Sequence, residues 1–218
     1  MTFQRDAFIA LIHEAARRVP DVMFLTADFG APALDAFRKE LPAQCLHVGI
    51  SEQNMISVAT GLALEGKRVY VYAMSPFFAR CYEQLKVAAI QGAPITVVSV
   101  GGGLGYAGSG PSHYSFEDIA IYRTLPGAEV YTASDTELAE RLAVWSLLDP
   151  RFRIVRLERS DTTLYNRSMT FMNGYEVHRG EGPPIVTCGY LVDYFKKRGH
   201  TVFDVFRIKP VPRLLLME

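Results

Sequence analysis

Cysteine is scarce in this 218-residue chain: Cys45, Cys81 and Cys188 are odd in number and far apart. Such a set excludes a disulfide framework and a metal cluster. It reads as small core residues of a protein kept in the reducing cytoplasm. Charge of one sign is missing too, because 23 basic residues balance 23 acidic ones. No basic stripe or charge block stands out, which leaves nucleic-acid and membrane-surface binding without electrostatic support. No apolar run approaches the ~20 residues that span a bilayer. The opening MTFQRDAFIALIHEAARRV carries Asp6 and Glu14 inside its apolar pattern, so it reads as a helix rather than a secretion signal. Internal repeats and low-complexity tracts are lacking as well. What is present is apolar bulk, 49% of the residues, enough for one full α/β domain and a small further piece.

The periodicities alternate. Phe8, Leu11, Ile12 and Ala15 recur at helical spacing, and 22–28 (VMFLTAD) reads as a buried strand. CLHVG leads into a helix over 51–65, which Gly66 stops. Then follow a strand over 68–73, a helix over 78–91, a strand over 95–100 and a glycine-rich loop over 101–110. A short helix over 117–123, a strand over 128–133, a helix over 136–148 and a strand over 151–157 complete the series. Near-continuously apolar strands separated by helices predict an α/β fold, a parallel sheet with helices on both faces. Ligands of such sheets lie at the carboxyl ends of the strands, so 48–52, 74–78 and 101–113 are expected to converge.

The texture changes near Thr162. The expected organisation is a main domain over 1–162, a turn-rich linker with one hairpin strand over 163–183, and a short C-terminal α/β piece over 184–218. Two strand-like runs in that piece, IVTCGYLV and TVFDVFRIKPVP, enclose only DYFKKRGH. That interval reads as too short for the helix of a right-handed parallel crossover, so the piece is expected to be truncated or incomplete.

GISEQNM places the carboxylate of Glu52 where a strand end turns into a helix. Taken alone, an acidic residue in a first helical turn needs no explanation beyond the helix dipole. Its setting is more specific. The stretch HVGISEQNMISVATGLALEGKRVYVYAMSPFFARCYEQ, continued by GPSHYSFEDIAIYRTLPGAEVYTASDTELA and RLERS, resembles the pyrimidine-binding domain of the transketolase and deoxyxylulose-phosphate synthase families. The resemblance runs from about Asp21 to Ser160.

It implies a thiamine-diphosphate enzyme that transfers a ketol group from a ketose to an aldose. Glu52 would then meet the pyrimidine ring nitrogen and favour the imino tautomer of the cofactor, which needs a site poor in water. Phe77 would supply a flat platform for the ring, with Phe78 and Tyr82 as pocket wall or plain core. His113 would face the substrate and exchange protons with its oxygens. Arg159 would hold an anionic substrate end or form a surface salt bridge. Ser109 stands where relatives that bind phosphorylated ketoses carry an aspartate, and Gly101 to Gly103 replace polar groups, which weakens the case for the usual sugar phosphates. His47 has no role in this pattern and reads as structural.

Two further features bear on partners. Gly103, Gly105 and Gly108 match the dinucleotide fingerprint, but SGPSHYS follows instead of a helix, so an NAD site is disfavoured. The resembling families bind Mg²⁺ and the diphosphate through Gly-Asp-Gly and a later asparagine, and no Gly-Asp-Gly occurs here. The chain itself is therefore expected to hold no metal. The Mg²⁺ and diphosphate would lie on a partner, the N-terminal-section subunit of a split transketolase, in a heterotetramer with a homodimeric contact. Sugars, phosphorylated or not, would be the substrates. The rival readings are the beta subunit of a 2-oxoacid dehydrogenase and a non-catalytic assembly subunit.

Overall fold

A computed structural model of the chain describes residues 3–27, 32–158 and 173–213. The main body alternates strands and helices: α1 (Gln4–Arg18), β1 (Val22–Thr26), α2 (Asp35–Glu40), β2 (Cys45–His47), α3 (Glu52–Leu64) and β3 (Arg68–Met74). It continues with α4 (Ser75–Phe78), α5 (Tyr82–Ile90), β4 (Ile95–Val100), α6 (Asp118–Thr124), β5 (Glu129–Thr132), α7 (Thr136–Leu148) and β6 (Arg153–Leu157). After these come β7 (Glu176–His178), β8 (Gly182–Thr187), α8 (Leu191–Lys196), β9 (His200–Asp204) and β10 (Arg207–Lys209).

Seven strands form one sheet in the order β10–β5–β6–β4–β3–β1–β2. Every neighbouring pair is parallel except β10 with β5. Alternate side chains serve opposite faces. Met23, Leu25, Val69, Val71, Ala73, Ile95 and Val97 pack under α3, α5 and α6. Val22, Phe24, Tyr70, Tyr72, Val98 and Val155 pack under α1, α2 and α7. Burial on both faces is why these strands lack polar alternation, as the sequence predicts.

Two local departures have clear causes. The helix expected over 78–91 is interrupted: Pro76 sits in the first turn of α4, a 3₁₀ turn follows at Ala79–Cys81, and α5 begins at Tyr82. Helix α2 falls in a segment with no strong period and was not anticipated.

The C-terminal region corrects the expectation about its crossover. Strand β8 ends at Thr187 and β9 begins at His200, so residues 188–199 are free to carry a helix. Tight ends at Gly189 (φ 63°) and Gly199 (φ 78°) let α8 fit between the two parallel strands. Residues 189–192 (GYLV), which resemble a strand in sequence, instead turn at Gly189 and enter α8. The run 201–212 also proves to be two strands in different sheets. β9 lies at the centre of a small β7–β9–β8 sheet, while β10 crosses to the edge of the large one. Two strands of the small sheet start within 163–183. Its own apolar core is slight, with Val192 and Val202 fully buried and Phe195 beside them.

Phe24 anchors the second face, fully buried with its ring stacked on Tyr70 (6.3 Å between centroids) and near Phe37 (5.7 Å). Phe24→Ala is expected to destabilise the chain by about 3–5 kcal/mol, read as a lowered midpoint in urea denaturation.

Candidate active site

The strand ends bring together three of the residues singled out from sequence. After β2 the backbone turns at Gly49 (φ 81°), whose N–H donates to His47 Nδ1 (3.0 Å). Val48 N–H reaches Thr26 O (3.0 Å), and Ser51 Oγ donates to Val48 O (3.1 Å). His47 thus helps to hold this turn through its Nδ1. This turn sets Glu52 as the first residue of α3, buried at 3% exposure. Its Oε2 has no hydrogen-bond partner among the described residues. Arg80 Nη1 approaches that oxygen at 3.8 Å, beyond hydrogen-bond range. Burial, together with the Glu52 carboxylate, pushes the Cys81 thiol up to about 12.

Phe77 is half-buried on α4, at the end of β3. His113 ends a 3₁₀ turn (Pro111–His113) in the loop after β4, and its ring meets Phe77 edge-on at 5.7 Å between centroids. Ser112 Oγ pairs with His113 Nδ1 (3.0 Å). Arg80 lies 5.9 Å from the Phe77 ring centre. The result is a carboxylate, an aromatic platform and an imidazole at the carboxyl ends of β2, β3 and β4.

Other candidates fall elsewhere. Phe78 has no exposed surface and belongs to the core under α3, so it offers nothing to a ligand directly. Tyr82 is half-buried against the same core, and its hydroxyl accepts from Thr124 Oγ1 (3.2 Å). Ser109 is exposed in the glycine-rich loop. Arg159 lies outside the described residues. The loop is not a dinucleotide turn: Gly108 sits in a 3₁₀ turn, and the next α-helix starts only at Asp118. A Cβ at Gly101 would stand 2.3 Å from the Tyr106 ring, so that glycine serves the loop's own closure.

Sequence reasoning missed Arg80 and a buried polar group beneath the site. Arg80 follows Phe77 by three residues through a 3₁₀ turn, where such positions share a side, and that spacing could have revealed it. The buried group contains Ser75, Ser115, Asp118 and Arg156, with Glu158 close by. Single-sequence patterns carry no signal for it. Among the described residues, no cluster of three or more His, Cys, Asp or Glu is arranged to hold a metal ion. No helix among them is long and apolar enough to cross a membrane.

Glu52, Phe77 and His113 at the carboxyl ends of parallel strands form a candidate ligand site where such sheets carry theirs. Residues 4–163 match the family described as transketolase, pyrimidine binding domain, and the chain belongs to that family. It is 35% identical over 159 residues to one of the subunits of the apulose-4-phosphate transketolase of Phocaeicola vulgatus, covering 72% of this chain and 51% of that relative. It is 32% identical over 135 residues to the 6-deoxy-6-sulfo-D-fructose transketolase subunit SqwH of a Clostridium species, covering 61% of this chain and 42% of that one. Human transketolase is 27% identical over 199 residues, 84% of this chain and 32% of the relative. The chain therefore spans about half the length, or less, of the curated relatives it matches. A solved structure described as a split gene transketolase, inactive beta4 tetramer, shares the fold with a TM-score of 0.82. Its identity is 24%, and the match covers 99% of this chain and 75% of that chain.

Burial pushes the Glu158 carboxyl up to about 7 from an ordinary 4.5, against the opposing pull of Arg156 and with a smaller push from Asp118. Between those two values the folded chain binds more protons than the unfolded one, so this group lowers stability as pH rises through the window. Glu158→Gln is expected to be more stable than the parent at about pH 8, with the gap closing towards about pH 4.5. Paired urea denaturations across that range check it.

Proposed function

We propose that this chain is the pyrimidine-binding subunit of a thiamine-diphosphate-dependent transketolase-type enzyme that moves a ketol group from a ketose to an aldose. The observation that carries the reading is the buried Glu52 Oε2, which lacks a hydrogen bond among the described residues and shares Arg80 with the Phe77 ring: Arg80 lies 3.8 Å from that oxygen and 5.9 Å from the ring centre. A buried carboxylate oxygen without a donor is costly, and a pyrimidine ring nitrogen that shares a proton with it removes that cost. Phe77 offers the apolar face that such a ring needs. When bound, thiamine diphosphate supplies a thiazolium carbon that stabilises negative charge on the transferred fragment.

The chain's own residues then have distinct tasks. Glu52 holds a proton at the pyrimidine nitrogen in a place that water reaches poorly. Phe77 orients the ring, and Phe78 and Tyr82 support it from within the core. His113, open on one side, gives and takes protons at substrate oxygens. Arg80, 60% exposed and 3.8 Å from Glu52, forms a weak ion pair that a bound ring would have to displace or share. Ser109, exposed in the glycine-rich loop, lies on the side proposed for the substrate, and Arg159 is the residue proposed to hold its anionic end. The two split relatives are named for a phosphate-bearing and a sulfonate-bearing sugar, which supports a substrate with an anionic end.

In this reading the large sheet is the cofactor-binding unit and the small sheet flanks it. The Mg²⁺ and the diphosphate sit on a partner subunit, within a cytoplasmic heterotetramer. The relatives named as subunits support the division. So do Ile50, 81% exposed two residues before Glu52, and the exposed Phe116 and Leu104, which leave apolar surface on the segments that form the site.

Glu52→Gln, assembled with the partner subunit, is expected to keep its thermal midpoint and lose roughly 10²–10⁴-fold in kcat for ketol transfer. An unchanged kcat would remove Glu52 from the mechanism and the proposal with it. Calorimetric titration with thiamine diphosphate and Mg²⁺ is expected to show weak or no binding to the purified chain and tight binding to the assembled complex. Tight binding by the chain alone would refute the division of labour.

A further inference from the structure

Below the candidate site runs a buried hydrogen-bond chain that the proposed chemistry does not use. Ser115 Oγ donates to Ser75 Oγ (3.0 Å), and Ser75 Oγ donates to Asp118 Oδ2 (2.8 Å). Arg156 Nε donates to the same carboxylate oxygen (2.7 Å), while Asp118 Oδ1 accepts from the Ile119 N–H (2.7 Å). Arg156 is held in turn by Thr132, to whose Oγ1 its Nη1 donates (3.1 Å). All four side chains of the chain are more than nine-tenths buried.

The placement of its members is informative. Ser75 lies two residues before Phe77, and Ser115 lies two residues after His113. Ser115 also closes the base of the glycine-rich loop through two backbone hydrogen bonds with Gly103 (2.7 and 3.0 Å). The hydroxyl-to-hydroxyl link is therefore a direct side-chain tie between the turn that carries Phe77 and the loop that carries His113. Gly102 adds a second lock on the loop. A Cβ there would stand 2.0 Å from Arg156 Nη2 and 3.0 Å from Asp118 Oδ2, so the guanidinium packs directly against the loop backbone.

We infer that Asp118, anchored by Arg156, is a positioning residue that sets the Phe77–His113 contact through the two serines. It thereby fixes the distance between the platform for the pyrimidine and the imidazole that faces the substrate. The inference rests on the reading of Glu52, Phe77 and His113 as the cofactor and substrate site. A buried ion pair that only stabilised the fold would give a different signature: its loss would lower the unfolding midpoint without moving His113 selectively.

Ser115→Ala leaves the Asp118–Arg156 pair intact and cuts only the tie. In the full chain with ¹³C-labelled histidine, the His113 ring resonance, assigned by His113→Gln, lies in the ring-current field of Phe77. It is expected to shift in Ser115→Ala while the other four histidines and the thermal midpoint stay in place. Assembled with the partner subunit, the variant is expected to lose about ten- to a hundredfold in kcat with an unchanged KM for thiamine diphosphate, as misplacement of a reacting group predicts. Gly102→Ala, which pushes Arg156 aside without removing a polar group, is expected to produce the same resonance shift. An unmoved His113 resonance in both variants overturns the inference. A shifted resonance combined with full activity in Glu52→Gln would sink the reading of the site and leave the coupling standing.

Discussion

The contact between Arg156 and Asp118 is the joint on which the arrangement turns. Arg156 projects from the central part of the sheet and Asp118 from the start of α6, and their oxygen–nitrogen distance is 2.7 Å with almost no solvent. An ion pair in that position is not a large source of net stability, since the desolvation of both groups offsets their attraction. Its value lies in specificity. Removing either partner would leave a buried charge and cost about 3–5 kcal/mol, so the pair tolerates few alternative packings. The glycine-rich loop, the Ser75 turn and β5 all touch it, and each is held to one arrangement by a group that cannot move alone.

The same joint ties the small sheet to the large one. Glu158 lies 4.0 Å from Arg156, and a Cβ at Gly189 would come within 3.5 Å of its Oε1. Ser134 donates to Asp204 at 2.5 Å, and Thr132 N–H reaches Phe206 O at 2.8 Å. With two fully buried apolar side chains in its own core among the described residues, the small sheet relies on these polar contacts and on β10 for its placement. A unit so thin in apolar burial has little stability of its own.

Much of the large sheet was legible because its physics is local. Apolar runs such as ITVVSV and the 3.6-residue period of α1 report burial on two faces and on one face, respectively. The chain order of Glu52, Phe77 and His113 was legible because each follows a strand, and parallel strands all end on one side. What escaped was set by distant partners. Asp118 and Arg156 look like ordinary charged residues until β6 and α6 are placed side by side. Arg80 depends on a 3₁₀ turn that interrupts an otherwise helical pattern. The Leu191–Lys196 crossover was lost because a strand end was drawn too far, which consumed the chain that the helix needs. Phe78, read as pocket wall or plain core, lies in the core, since neighbours on a helical turn point in different directions and Phe77 keeps the more open one.

That last point bears on how a half-site is kept ready for its ligand. A site open to solvent would let Glu52 exchange its missing partner for water, and the orphaned oxygen would then carry no information. Here the carboxylate is withdrawn from solvent at the start of α3, close enough to Cys81 to help push that thiol up. The arginine that approaches it is too far for a hydrogen bond and too exposed to hold firmly. The carboxylate is thus withdrawn from solvent and holds, among the described residues, only the long ion pair with Arg80. In the proposed reading a flat, nitrogen-bearing ring would satisfy it with the backbone already in place, because the turn, the loop and the sheet are fastened from beneath by the Asp118 chain. Preorganisation of this kind lowers the ordering cost at the moment of binding. It also explains why the polar network lies under the site rather than in it: hydroxyls on the binding face would offer the carboxylate donors of their own.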